Sequence, residues 1–180
     1  LLLSSYYFYM SWRAEYIILI IASTLIGYYS ALYMNKSKNT NWRKLFLWLS
    51  LCGNLGLLLI FKYFNFFNQS IRDFLSLFSI KFSPIFLNVI LPVGISFYTF
   101  QILSYTIDVY WGKVKPEKHL GIFAVYVSYF PQLVAGPIER ASNLLPQFFE
   151  EHNFEYKRAT DGLKLMLWGF FKKIVIADNV

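Results

Sequence analysis

The sequence predicts an all-α, polytopic helical membrane protein, and three observations carry that expectation. Apolar runs of about twenty residues recur along the chain, and as helices rising about 1.5 Å per residue they cross a hydrocarbon core of about 30 Å. Only 15% of the 180 residues are charged, against 57% hydrophobic and 21% aromatic, where a soluble domain carries about a quarter charged. The charges that do occur sit in short clusters between the apolar runs.

The same clustering decides how the net charge of +7 is read. Basic residues flanking apolar runs act as topology determinants and contacts to membrane lipid headgroups, so no nucleic-acid partner is expected. Cys52 stands alone, which excludes a disulfide framework or a cysteine metal site. Residue 1 falls inside an apolar run and the last residues carry no terminating signal. The chain therefore reads as one membrane domain over 1–180, an internal portion of a longer protein truncated at both ends.

Leu1 to Met10 reads as the tail of a span, followed by a polar break at Trp12, Arg13 and Glu15. Tyr16 to Met34 is nineteen residues without a charge, one complete crossing. A loop over 35–44 carries Lys36, Lys38, Arg43 and Lys44, with Trp42 as an interfacial residue. Leu45 to Phe61 is the next span. Gly53 and Gly56 within it permit close helix approach, Asn54 is placed to hydrogen-bond across to a neighbour, and Lys62 reaches for the headgroups. Phe74, Leu75, Leu77 and Phe78 against Arg72, Asp73 and Lys81 predict a short helix lying on the surface between 65 and 83. A span over 86–109 follows, with Pro92 breaking or kinking it near Leu91. Trp111 marks the interface, and 112–119 is a basic loop.

The loops at 35–44 and 112–119 hold four and three Lys or Arg, against three over the longer 62–83 stretch. The positive-inside rule places both in the cytoplasm of a multi-pass protein of the cell membrane. Residues 120–134 are apolar but short, and they run into FPQLVAGPIER, where Pro131, Gly136 and Pro137 break any continuous helix. Backbone groups freed by such a break cannot face lipid, so 130–140 is expected to be re-entrant or broken and buried in protein or beside a cavity. A last helix over about 160–176 carries Asp161, Lys164, Trp168 and Lys172 along one face.

The stretch 91–112 holds a polar stripe. Gly94, Tyr98, Gln101, Tyr105 and Asp108 recur at steps of four, three, four and three, which stacks them on one helix face. Asp108 reads equally as a helix-end carboxylate paired with Lys113 or Lys115, or as an acid lining a cavity. Gln101 reads more readily as an interhelical hydrogen-bonder than as a substrate contact. Glu139 and Arg140 pair with each other or with headgroups. His119 and His152 have no partner at metal-ligand spacing, so no metal is expected, and no nucleophile elbow, P-loop or HExxH is present.

Three blocks in order carry a family resemblance: ILPVGISFYTFQILSYTIDVYWG at 90–112, YVSYFPQLVAGPIERASNLLPQF at 126–148 and GLKLMLWGFFKKIVIADNV at 162–180. Together they resemble the membrane-bound O-acyltransferase family, in its bacterial alginate O-acetyltransferase-like branch. The D-alanyl transfer protein of teichoic acid biosynthesis shares a looser version of the middle block. The resemblance implies part of a ring of membrane helices around a thin, funnel-shaped centre, with a tunnel joining the two sides. It implies transfer of an acyl group, often acetyl, to a hydroxyl of a polysaccharide such as alginate. The family's invariant histidine has no counterpart at His119 or His152, so the catalytic residue is expected beyond residue 180 and none is assigned here. On this reading Tyr98, Gln101, Tyr105 and Asp108, with Gly136, Pro137, Glu139 and Arg140, are the candidate tunnel walls. No tightly bound cofactor is expected, only an acyl donor, and a periplasmic or extracellular acetyltransferase is the implied protein partner. The alternative readings are D-alanyl transfer to teichoic acid, a transporter or flippase of an envelope precursor, which shares the broken-helix pattern, and a non-catalytic scaffold.

Overall fold

A computed structural model describes residues 1–78, 91–134, 136–151 and 153–179. They fall into two compact units, Leu1–Phe148 and Phe149–Val180. The first contains α1 (Leu2–Met10), α2 (Ile17–Lys36), α3 (Thr40–Leu58), α4 (Phe64–Ser76), α5 (Ile95–Tyr110), α6 (Leu120–Ser128), α7 (Phe130–Leu133) and α8 (Ala141–Gln147); the second contains α9 (Tyr156–Phe171). The described residues form no strand. Two stretches, Ala14–Lys36 of 23 residues and Thr40–Ser76 of 37, are long and apolar enough to cross a membrane. The architecture is the all-α membrane fold that the composition predicts.

The second of these is longer than the span expected over 45–61. Asn39 starts it by accepting a hydrogen bond from the Asn41 amide on its side chain at 2.8 Å, which satisfies one of the open amides of a first turn. The helix then passes Lys62 through a π-helical turn at Leu59–Tyr63 and continues as α4. The separate surface helix expected after residue 65 is thus a continuation of α3 as far as Ser76. Lys62 marks where the apolar stretch ends, but no proline lies between Thr40 and Ser76 to end the helix. Lys62 itself donates to Ser96 Oγ at 2.9 Å.

Close packing of α2 against α3 and α5 builds the centre of the first unit. A Cβ on Gly27 would lie 2.4 Å from Ile102 Cγ2, so only glycine lets α2 approach α5 this closely. Gly53 meets Ile26 in the same way at 3.1 Å, whereas nothing lies within 4 Å of a Cβ on Gly56. Tyr28, Tyr105, Phe123 and Tyr126 then fill the space between α2, α5 and α6, with ring centroids 4.7 to 6.1 Å apart. In lipid such contacts replace the hydrophobic drive that would join helices in water. Ser50 Oγ and Thr106 Oγ1, 3.1 Å apart, tie α3 to α5. The cross-helix bond expected of Asn54 is not made. Its amide instead turns back to the Ser50 carbonyl at 3.0 Å, one turn earlier on the same helix.

Both basic loops lie at one end of this bundle. Arg43 donates to the Tyr110 carbonyl at 2.7 Å and stacks over its ring at 5.5 Å. The Tyr28 hydroxyl donates to the Lys118 carbonyl. In the second unit, α9 carries the stripe expected of it. Asp161 pairs with Lys164 at 3.6 Å, and Lys172 lies 5.4 Å from the Trp168 ring. His152 and the first residues of the span expected over 86–109 lie outside the described residues.

The α2–α5 contact makes a direct prediction. Gly27→Leu forces a side chain into a space already filled by Ile102 and Phe123 and is expected to cost at least about 1–3 kcal/mol. Gly56→Ala is expected to leave stability unchanged or slightly raised. Thermal unfolding of the detergent-purified full-length protein separates the two outcomes.

Candidate functional site

The polar stripe of α5 begins where the helix does. Gly94 sits at φ +72°, and a Cβ there would come 2.9 Å from the Leu133 carbonyl, so a side chain is excluded both by the backbone and by the neighbour. Pro92 precedes the helix and accepts from the Ile95 amide at 3.3 Å, which opens the first turn. The far end closes on Gly112 at φ +73°. The Lys113 amide bonds back to the Asp108 carbonyl at 2.9 Å and the Gly112 amide to that of Val109 at 3.0 Å, a Schellman closure.

Between these ends four rungs of the stripe face the segment 117–140 and one faces α1. Gly94 meets Leu133. Tyr98 packs edge-on to Tyr9 of α1, with centroids 6.5 Å apart. The Gln101 amide donates to the Tyr126 carbonyl at 2.7 Å. The Tyr105 hydroxyl accepts from the Glu117 amide at 2.9 Å. Asp108 accepts Arg140 Nη1 on both carboxylate oxygens at 3.2 Å. The chain therefore climbs α6 and α7 from the level of Tyr105 to that of Gly94, then returns to the level of Asp108. Arg140 thus brings the chain back to the Asp108 end of α5, and the segment forms a hairpin along that helix.

Two of the backbone groups freed at the break inside it find partners on other helices. Tyr129, at φ −56° and ψ 105°, ends α6. That would strand the Tyr126 carbonyl and the Phe130 amide, which pair in a continuous helix. Gln101 takes the first, and Ser5 Oγ of α1 accepts from the second at 3.4 Å. Pro131 then occupies the first turn of α7, where a missing N–H costs little. The return is held by Gln132, whose side-chain amide donates to the Pro137 carbonyl. Gly136 donates its amide to the Gln132 carbonyl at 2.9 Å, and a Cβ there would lie 2.5 Å from Gln132 Cγ. The Tyr126 hydroxyl lies 3.4 Å from the carbonyls of Gln101 and Glu139.

Asp108 thus pairs with Arg140, and neither with Lys113 nor with Lys115. After the Gly112 turn Lys113 lies over the Trp111 ring at 4.6 Å. Arg140 likewise pairs with Asp108 rather than with Glu139, which makes no ion pair among the described residues. The Asp108 side chain is 4% exposed and that of Arg140 63%, so one buried charge is met by a cation that keeps its other face in solvent. His119 serves as the cap of α6, accepting the Ile122 amide on Nδ1 at 3.3 Å. Among the described residues no three His, Cys, Asp or Glu gather as metal ligands. The arrangement is a frame that positions a broken backbone.

Two clefts flank the frame, and none of the eight candidate residues lines either. One of about 370 Å³, lined by Phe8, Tyr9, Ser11, Trp12, Val93 and Val134, borders the Gly94–Leu133 contact. The other, of about 550 Å³, is lined by Leu32, Asn35, Lys36, Lys115, Pro116 and Lys118 and borders the Tyr105–Glu117 contact. They mark opposite ends of the α5 seam.

No family model and no solved structure matches the chain. Curated sequences do. Peptidoglycan O-acetyltransferase of Helicobacter pylori is 33% identical over 205 residues, covering 99% of this chain and 38% of its own length. Probable alginate O-acetylases of Pseudomonas aeruginosa and Pseudomonas putida are 35% and 36% identical over 182 residues, covering all of this chain and 34% and 37% of their own. Along essentially its whole length the chain is similar to part of these proteins, and it spans little more than a third of theirs. Sequence reasoning passed over Ser5, Tyr126 and Gln132, all of which serve the break. A pair of serines at the start of the chain, and a glutamine between a proline and a glycine, were the available signals.

Two substitutions test the frame. Gln101→Leu leaves the Tyr126 carbonyl buried without its donor and is expected to destabilise by about 1–3 kcal/mol. Asp108→Ala and Arg140→Ala are expected to couple. A double-mutant cycle on the unfolding of the full-length protein should show the pair losing less than the sum of the singles.

Proposed function

We propose that the chain forms part of a membrane O-acyltransferase that moves an acetyl group onto hydroxyls of an envelope or exported polysaccharide. The observation that carries this reading is the 33–36% identity along essentially the whole chain to proteins named for O-acetylation of peptidoglycan and alginate. O-acyl transfer needs a base for the hydroxyl proton, donors for the oxyanion and a path that keeps water from the acyl donor. The described residues are suited to the third task, and none of them is assigned the base.

In this proposal the seam between α5 and the hairpin is the closed form of the transfer path. Two features support it: polar side chains run along its length, and a cleft stands at each end. Tyr98, Gln101, Tyr105 and Asp108 form one wall, and Gly136, Pro137, Glu139 and Arg140 the other. Asp108 and Arg140 are positioning residues that set the distance between the walls. The protein lies in the cell membrane among its lipids. The basic loops face the cytoplasm by the excess of lysine and arginine, and the acyl donor, held without any tightly bound cofactor, arrives from that side. The acceptor polysaccharide, or an acetyltransferase partner that serves it, is met at the other end.

The test is complementation. In cells lacking the gene, alkali-released acetate from exported polysaccharide and from peptidoglycan is measured after expression of the full-length protein. The wild type is expected to restore acetate to one polymer. Gln101→Ala and Asp108→Asn are expected to lower it at least tenfold at equal membrane levels of protein. Acetate that is unchanged in both polymers when the gene is removed rules the function out.

A further inference from the structure

The cleft at the basic end of the bundle has a composition that topology alone does not require. Lys36, Lys115 and Lys118 border one volume of about 550 Å³. Among the described residues none of the three pairs with a carboxylate. Ammonium groups gathered this way repel one another until an anion joins them. Lys36 stands at the end of α2, where a cation complements the helix carbonyls and needs no other explanation. Lys115 and Lys118 lie on a non-helical stretch and have no such role.

That stretch is pinned from beneath. The Tyr105 hydroxyl, fully buried, accepts the Glu117 amide at 2.9 Å, and the Tyr28 hydroxyl donates to the Lys118 carbonyl. One carboxylate oxygen of Glu117 accepts the His119 amide at 2.8 Å, and among the described residues its carboxylate makes no ion pair with the lysines. Two core tyrosines therefore fix the backbone at Glu117 and Lys118 before a ligand arrives, which removes part of the ordering cost of binding. Asn35 adds an amide to the rim, and Leu32 and Pro116 give the cleft an apolar floor. Several ammonium donors around an apolar floor suit a phosphate group attached to a carbon skeleton, since its oxygens accept several charge-assisted hydrogen bonds at once.

We propose that this cleft is a phosphate-binding site at the membrane face, in which Lys36, Lys115 and Lys118 grip the phosphate of an anionic lipid headgroup or of a water-soluble phosphate ester. The site does not depend on the acyl-transfer reading and is tested without an activity assay. Thermal unfolding of the full-length protein in neutral detergent is followed during titration with phosphatidylglycerol, and separately with inorganic pyrophosphate. At least one probe is expected to raise the midpoint saturably. The triple variant Lys36→Gln, Lys115→Gln, Lys118→Gln is expected to weaken half-saturation at least tenfold, and the corresponding arginine triple to retain it. Lys62→Gln, at the opposite end of α5, should bind as wild type does. Tyr105→Phe, which removes the clamp but no charge, is expected to weaken binding severalfold. Saturation by phosphatidylglycerol identifies a lipid source and saturation by pyrophosphate a soluble one. If the triple variant does not fold, Lys115→Gln and Lys118→Gln are compared singly. No shift with either probe, or half-saturation indifferent to the lysines, overturns the proposal.

Discussion

Between Ser128 and Phe130 the backbone ladder stops, and the groups set free there include the carbonyl of the fully buried Tyr126. Hydrocarbon offers such groups nothing, so the protein must supply each partner itself. Much of the first unit can be understood as that supply. Gln101 lies on α5 at the height of the Tyr126 carbonyl, and Ser5 lies on α1 at the height of the Phe130 amide. Gly94 has no side chain because the Leu133 carbonyl occupies its place.

The remaining contacts hold those partners in register. A hydrogen bond from Gln101 is useful only if α5 keeps its height against α6, and the aromatic cluster of Tyr28, Tyr105, Phe123 and Tyr126 fixes that relation. Ser50 and Thr106 do the same between α3 and α5 with a single polar contact. Asp108 and Arg140 then close the return of the hairpin at its solvent end. A buried carboxylate is costly when left alone, so the pair also discourages any arrangement in which residues 134–140 drift from α5.

Much of this was legible in the residues. The apolar runs predict the class, Pro131, Gly136 and Pro137 predict the break, and the four-three spacing from Gly94 to Asp108 puts five residues on one face. What that face meets was not legible, because a helical period shows which side chains align and says nothing of what lies opposite. Lysines near in sequence were therefore the natural partners for Asp108, while Arg140, 32 residues on, is the one the fold delivers. The continuation of α3 past Lys62 was hidden for a related reason. A change in polarity marks a boundary of environment, and only a breaker or a cap marks a boundary of structure. Asn54 shows the same limit at the scale of one residue. Its amide has an acceptor on its own helix, and sequence does not rank that choice against a neighbour.

The partners of the broken segment share one more property, their place in the chain. Ser5, Gln101 and Asp108 all precede Tyr129. A polypeptide delivered to the membrane from its N-terminus has α1, α2 and α5 synthesised before residues 129–140 emerge. The loose amide and carbonyl of the break therefore enter a bundle that already holds their acceptor and donor. The order of the sequence thus serves as an assembly schedule, in which the element least able to tolerate lipid arrives after the elements that shelter it.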